Sequence, residues 1–163
     1  MIKRQLCLSL IAQNLLAANY SIQVDSSNPK VAEKILEGLE NFNINYFATH
    51  HGNRDHHTFV IHAKDADGKV IGGLSGGIFG SWAYVDYASV EPEWRGQGLG
   101  TNLFLKLEEL AKQHNCDTIQ LFTFEFQAVG FYEKLGYERV GIIPKWVEDT
   151  YDACFYKKRL TNI

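Results

Sequence analysis

Gly96, Gly98 and Gly100 occupy every second position between a β-branched and aromatic run, Trp82–Val90, and an amphipathic helical pattern over residues 102–114. A strand, a glycine-rich turn and a helix in that order leave few architectures open, because the helix must start within a few residues of the strand's end. The order also makes an anion site. With no Cβ at the glycines, the backbone N–H groups of Gly96, Gln97, Gly98, Leu99, Gly100 and Thr101 can turn toward one phosphate, and the positive end of the helix adds to the attraction. The alternative is a plain turn, in which three glycines would cost backbone entropy for no gain in packing. Two better-known phosphate loops are excluded. The stretch lacks the Lys-Ser/Thr ending of a P-loop, and its glycines do not follow the spacing of the dinucleotide fingerprint.

A chain of 163 residues, 45% apolar, is long enough for one well-filled core and short for two. Its net charge of −3 and isoelectric point near 6.1 supply no basic field for a phosphate polymer, so nucleic acid is not an expected partner. Cys7, Cys116 and Cys154 form no Cys-x-x-Cys pair and are odd in number, which suggests neither a disulfide framework nor a thiolate zinc site and fits the reducing cytoplasm. The histidines His50, His51, His56, His57 and His62 lack a carboxylate or cysteine at a familiar ligand spacing, so no metal is expected. Met1-Ile2-Lys3-Arg4 and the apolar residues after it look like the start of a secretory signal, but Gln13 and Asn14 interrupt the run and leucines occupy the cleavage position. The same amides argue against a bilayer-spanning helix and hence against a membrane partner. The preferred reading of residues 1–19 is a short helix whose Leu8, Ile11, Leu15 and Leu16 cover the domain of residues 20–163 or the second subunit of a homodimer.

Residues 21–24 alternate and read as a first strand. Asn28-Pro29 then supplies an N-cap and an N1 proline for a helix burying Val31, Ile35, Leu36, Leu39 and Phe42, which Asn41 and Asn43 close before a polar loop. Residues 58–63 and 70–78 flank Asp65-Ala66-Asp67-Gly68-Lys69, a hairpin signal, and Gly80-Ser81 turns the chain again into Trp82–Val90. The helix after the glycine loop buries Leu103, Leu107, Leu110 and Ala111, and residues 118–124 return as a strand. A short helix over residues 128–135 ends at Gly136, and strands follow at 137–142 and 153–158. Short turns make the early strands antiparallel, and the helical crossover makes one step parallel. The fold class is α/β (α+β), one twisted mixed sheet of six or seven strands with helices on both faces.

Arg95, Gly98 and Gly100 match the Gln/Arg-x-x-Gly-x-Gly/Ala pyrophosphate loop of the GNAT superfamily of N-acetyltransferases, which the chain resembles. A second match follows in Gln127-Ala128-Val129-Gly130-Phe131-Tyr132-Glu133-Lys134-Leu135-Gly136-Tyr137, similar to the family's Ala-x-x-Phe-Tyr-Glu-Lys-x-Gly-Phe segment, and a third in the closing strand Cys154 to Leu160. The resemblance covers roughly residues 20–163. It implies acetyl-CoA as cosubstrate and a primary amine as acceptor, joined by direct attack in a ternary complex. It also implies a cleft between Trp82–Val90 and residues 118–124, where backbone groups of Ala88 and Val90 pair with pantetheine. Arg95 has two readings, a fork that bonds a loop carbonyl or the cofactor phosphates, and a side chain that simply covers the helix start. Tyr132 corresponds to the tyrosine assigned as general acid to the leaving sulfur. Glu125 stands where many members carry Asn, which leaves Phe126 and Gln127 to line the channel.

Asp86 is the lone carboxylate within Trp82–Val90, and a two-residue period puts it on one face with Tyr84 and Ala88. It is the candidate base for the amine, with a substrate anchor and a structural carboxylate as its other readings and Glu91 as a weaker base. Trp82, Tyr84 and Tyr87, with Trp146, would give an acidic, aromatic acceptor pocket. The competing functions are a CoA-binding domain without turnover and a different nucleotide-binding module.

Overall fold

Asp65 organises the turn that follows it, its carboxylate accepting from the backbone N–H groups of Asp67 (3.0 Å) and Lys69 (2.9 Å) while Gly68 takes φ +82°. The turn joins β1 (His56–Lys64) to β2 (Val70–Phe79), and the turn at Gly80-Ser81 joins β2 to β3 (Trp82–Val90). The computed structural model describes residues 21–50 and 56–160. After β3 come a 3₁₀ turn (Pro92–Trp94), a long helix (Leu99–Gln113), β4 (Thr118–Phe124), a short helix (Val129–Lys134), β5 (Glu138–Val147) and β6 (Tyr151–Arg159). With the earlier helix Pro29–His50 as α1, these two helices are α2 and α3.

The six strands form one sheet in the order β1-β2-β3-β4-β6-β5. All neighbours are antiparallel except β3 and β4, whose parallel step is made by the α2 crossover. The core lies on one face of this sheet. Leu103, Phe104, Leu107 and Ala111 of α2 pack with Leu74, Ile78, Ala83, Val85, Ile119 and Leu121, and α3 adds Tyr132 to the same cluster. Phe104 takes the buried place expected of Leu110, which is only partly buried.

Three expectations are corrected. Residues 21–24 are not a strand, so six of the seven expected strands form. Asn28 does cap α1, accepting from Val31 N–H with its side chain (3.3 Å) and its carbonyl (3.1 Å), but the helix runs through Asn41 and Asn43 to His50. Asparagine weakens a helix interior by a fraction of a kcal/mol, about 0.7 at most, too little to end one that continues in register. The stripe Val31, Ile35, Leu36, Leu39 and Phe42 is exposed rather than buried. A 3.6-residue period establishes that apolar residues share a side, and burial then depends on a partner that the pattern does not name.

The chain divides into two compact units, Met1–Tyr46 and Phe47–Ile163, the boundary falling inside α1. The helix proposed for residues 1–19 lies outside the described residues. Among the described residues no helix is long and apolar enough to cross a membrane.

Candidate active site

The site begins with an irregularity in β3. Across from β2, Tyr87 pairs with Ser75 and Val85 with Gly76, which leaves Asp86 as one extra residue, a β-bulge. Cross-strand partners share a face of the sheet, so the bulge resets the alternation. Tyr84 and Tyr87 therefore stand on the face opposite the core, while Ala88, paired with buried Leu74, and Val90, packed on the core cluster, return to the core side. The two-residue count that grouped Asp86, Tyr84 and Ala88 fails here because it assumes an unbroken ladder.

Beyond the bulge the two central strands part. β3 pairs with β4 only over Trp82–Val85 and Thr118–Leu121, yet β3 runs on to Val90 and β4 to Phe124. The main chain of residues 86–90 therefore faces β4 across a wedge with no ladder in it, an edge suited to an extended ligand. On the other side of β3 a groove of ≈ 260 Å³ opens over β1 and β2, its lining including Val60, His62, Ser75, Tyr87 and Ser89.

The glycine loop stands at the mouth of the wedge. Arg95 Nε donates to the Val90 carbonyl at 2.8 Å and Gln97 Nε2 to the Glu93 carbonyl at 2.7 Å, so Arg95 holds the loop to the end of β3 and Gln97 holds it to the 3₁₀ turn. Of the two readings of Arg95, the carbonyl contact is present. Gly96 (φ +73°) and Gly98 (φ +83°) carry the left-handed backbone that lets the loop reverse, and open space surrounds the place of each missing Cβ. Gly98 is the N-cap of α2 with no side-chain cap, and no acidic residue occupies the first turn. The first N–H groups of α2, from Leu99 to Thr101, thus start a helix with no carboxylate to neutralise its positive end. Gly100 has a packing reason the sequence did not disclose, since a Cβ there would stand 3.1 Å from the Phe131 ring. The absence of that methyl seats α3 on the first turn of α2.

α3 carries Tyr132, which is 8% exposed and surrounded by the rings of Phe104, Phe131, Tyr137 and Tyr156 at 5.3–6.2 Å between centroids. Burial pushes its hydroxyl above the ordinary tyrosine value. Gln127 fixes the approach to this helix. Its side-chain oxygen accepts from the buried Thr123 hydroxyl at 2.8 Å and from Phe124 N–H at 3.1 Å, which ties it to the end of β4.

The Tyr84 hydroxyl shares a 2.9 Å hydrogen bond with His56 Nε2, and its ring lies so close over Gly77 that a Cβ there would collide. Burial and then the Asp86 carboxylate raise the Tyr84 hydroxyl above its usual range. Asp86 and Tyr87 are exposed, Trp82 is partly so, and Trp146 lies apart from them on β5. Sequence reasoning named only Phe126, as a channel residue, from a second set of rings, Phe122, Phe124, Phe126 and Tyr151, which meet edge to face or stacked at 4.8–5.8 Å. Their alternation in residues 122–126 was legible, but contact with Tyr151 needs the β4–β6 pairing. Among the described residues no group of three or more His, Cys, Asp or Glu side chains is arranged to hold a metal ion.

Residues 21–137 match the Acetyltransferase (GNAT) family. The blasticidin-S acetyltransferase of Streptomyces morookaense is 35% identical over 89 residues, covering 54% of this chain and 65% of that protein, so the chain spans a little under two thirds of that relative's length. An acetyltransferase crystal structure from Bacillus cereus superposes with a TM-score of 0.74 at 26% identity, covering 85% of this chain and 98% of that one. A Bacillus anthracis acetyltransferase in complex with acetyl coenzyme A shares the fold with a TM-score of 0.59 at 22% identity over 64% of each chain. With the glycine loop, the parted strands and the tyrosine helix all in one sheet, the chain belongs to the GNAT acetyltransferase family.

Proposed function

We propose that the protein transfers the acetyl group of acetyl-CoA to a primary amine by direct attack, in a ternary complex built on the wedge between β3 and β4. The observation that carries this reading is the conjunction of that wedge with the uncapped start of α2 immediately beyond it. The N–H groups of Gly96, Gln97, Gly98, Leu99, Gly100 and Thr101 hold the cofactor diphosphate. Main-chain groups of Ala88 and Val90 pair with pantetheine amides, which makes the cofactor a strand in the gap. Arg95 and Gln127 act from behind, holding the loop and the end of β4 through the bonds described above. That a relative is named for acetylating blasticidin-S supports transfer to a separate acceptor compound.

An alkylamine with a pKa near 10.4 is protonated at pH 7, and freeing its lone pair costs about 4 to 5 kcal/mol. Asp86 takes that proton, directly or through water, and its exposed place in the bulge gives it access to solvent. The amine nitrogen then attacks the thioester carbon, the C–N bond forms, the nitrogen gives up its second proton to water, the C–S bond breaks and the thiolate leaves. A phenol near pKa 10 giving its proton to a thiolate near 8.5 runs uphill by about 2 kcal/mol, and burial of Tyr132 steepens that slope. Tyr132 therefore works by hydrogen bonding to the developing anion, with the proton following late. Trp82, Tyr84 and Tyr87 border the acceptor. The free, buried Cys116 and Cys154 and the need for acetyl-CoA support a cytoplasmic setting for the reaction.

The test is calorimetry with acetyl-CoA together with thiol release on incubation with a panel of amines. Binding with amine-dependent release of CoA is expected. No association at millimolar cofactor would remove the reading, and binding without release from any amine would leave only a CoA-binding domain.

A further inference from the structure

Past Leu121, the last β4 residue paired to β3, the strand presents Phe122 and Phe124 on the face opposite the core, and neither is covered by α2 or α3. Phe122 stacks on Phe155 of β6 (5.8 Å, 29°) and takes the edge of Phe124 (5.8 Å, 86°). Phe124 lies parallel to Phe126 (5.6 Å, 6°), and Tyr151 closes the row edge-on to Phe126 at 4.8 Å. Three of these rings keep much of their surface in solvent, Phe122 at 49%, Phe126 at 54% and Tyr151 at 40%. A contiguous exposed aromatic patch of this kind marks a binding surface more often than a folding requirement. The row is also held rigidly. Glu125 N–H donates to the Asp152 carbonyl at 2.9 Å, fixing the turn that carries Phe126 to the strand that carries Tyr151.

Its charge is one-sided. Glu125 lies between Phe124 and Phe126, Asp152 adjoins Tyr151, and Asp86 occupies the first position of β3 beyond the paired segment, level in register with Phe122. The nearby cations are paired: Lys145 with Asp149 at 3.8 Å, its backbone N–H donating to the Asp152 carboxylate, and Lys157, on the same face of β6 as Phe155, with Glu138 at 2.9 Å. Ring faces and carboxylates together attract a cation that also carries a flat apolar group.

We propose that Phe122, Phe124, Phe126 and Tyr151 form the acceptor wall and that the preferred substrate is an arylalkylamine, its ring stacked on this row and its ammonium directed toward Asp86. The proposal rests on acetyl transfer at the β3/β4 wedge and adds the acceptor's class. It assigns Phe126 to the acceptor rather than to the cofactor channel.

Two amines of equal charge and similar bulk separate stacking from simple hydrophobic contact, 2-phenylethylamine and 2-cyclohexylethylamine. The unaltered protein is expected to favour the phenyl compound in kcat/KM by roughly tenfold, the scale of one or two aromatic contacts. Phe126→Ala should bring the ratio to about one without raising the KM for acetyl-CoA, and Phe126→Trp should restore it. Equal kcat/KM for the two amines in the unaltered protein overturns the proposal. So does a Phe126→Ala variant that keeps the ratio while its melting temperature falls, because the row would then be a packing surface. If neither amine releases CoA and calorimetry detects no acetyl-CoA binding, the transferase reading itself has failed and takes the proposal with it. Binding intact with turnover only of non-aromatic amines refutes the aryl preference alone.

Discussion

At Gly98 the backbone takes φ +83° and ψ −3°, and nothing lies within 4 Å of where a Cβ would stand. An L-residue there meets a conformational penalty and no collision, so Gly98→Ala should lower stability by about 1–2 kcal/mol. The new methyl would also occupy space claimed by the diphosphate. A rise in the acetyl-CoA KM of roughly tenfold is expected beyond the stability loss, the equivalent of about 1.4 kcal/mol. Thermal melts and initial rates measure the two effects separately. At Tyr132 the ring is packed on four others and only the hydroxyl has chemistry to offer. Tyr132→Phe keeps the packing and should lower kcat by roughly ten- to a hundredfold with little change in melting temperature. Unchanged turnover with the best amine would take Tyr132 out of the mechanism. Both residues could be singled out from motif matches alone. The reason for Gly100 could not, because Phe131, which crowds the place of its Cβ, lies thirty-one positions away in the chain and meets it only after α3 docks.

The bulge in β3 is a property of the strand as a whole. Removing Asp86 by deletion would close the ladder against β2 at its present pairings, so Ala88 and Val90 would keep their core side while the bend and added twist of the bulge are lost from β3. Asp86→Ala keeps the extra residue and loses only its carboxylate. Straightening β3 removes the bend beside the wedge, so the deletion is expected to weaken acetyl-CoA binding by calorimetry, whereas Asp86→Ala should retain binding and lose kcat. Equal cofactor affinity in both would show that the bulge does not shape the wedge. α2 is the element that holds this arrangement to the core. Leu107 is fully buried beneath it, and Leu107→Ala should cost about 2–5 kcal/mol in urea denaturation. The periodicity of α2 identified Leu103, Leu107 and Ala111 correctly. For α1 the same reasoning found the stripe and the Asn28 cap but not the exposure of Val31, Ile35 and Leu39, since a period carries no information about what lies opposite.

Across the molecule, Tyr84, Tyr132, Tyr137 and Tyr156 all hold their protons more tightly folded than unfolded, with burial the first cause in each. A raised folded value contributes stability that is complete below the unfolded value near 10 and is lost as pH climbs through the folded one. The urea midpoint should therefore show no loss from these groups between roughly pH 7 and 9 and should fall above pH 10. Tyrosinate absorbance from these four ought to rise with unfolding, and ionisation of more than half of the eight tyrosines in the folded protein near pH 10 would contradict their burial. Local sequence was sufficient for the six strands, the hairpin turns, the N-cap of α1 and the glycine loop, because turn chemistry, β-branching and helix periodicity act between residues close in the chain. Only tertiary structure decided that β3 and β4 part after Val85 and Leu121, that the alternation resets at Asp86, and that Phe122, Phe124, Phe126 and Tyr151 form one row. Each of those depends on strand register and helix docking between distant segments, for which a single chain pattern contains no local term.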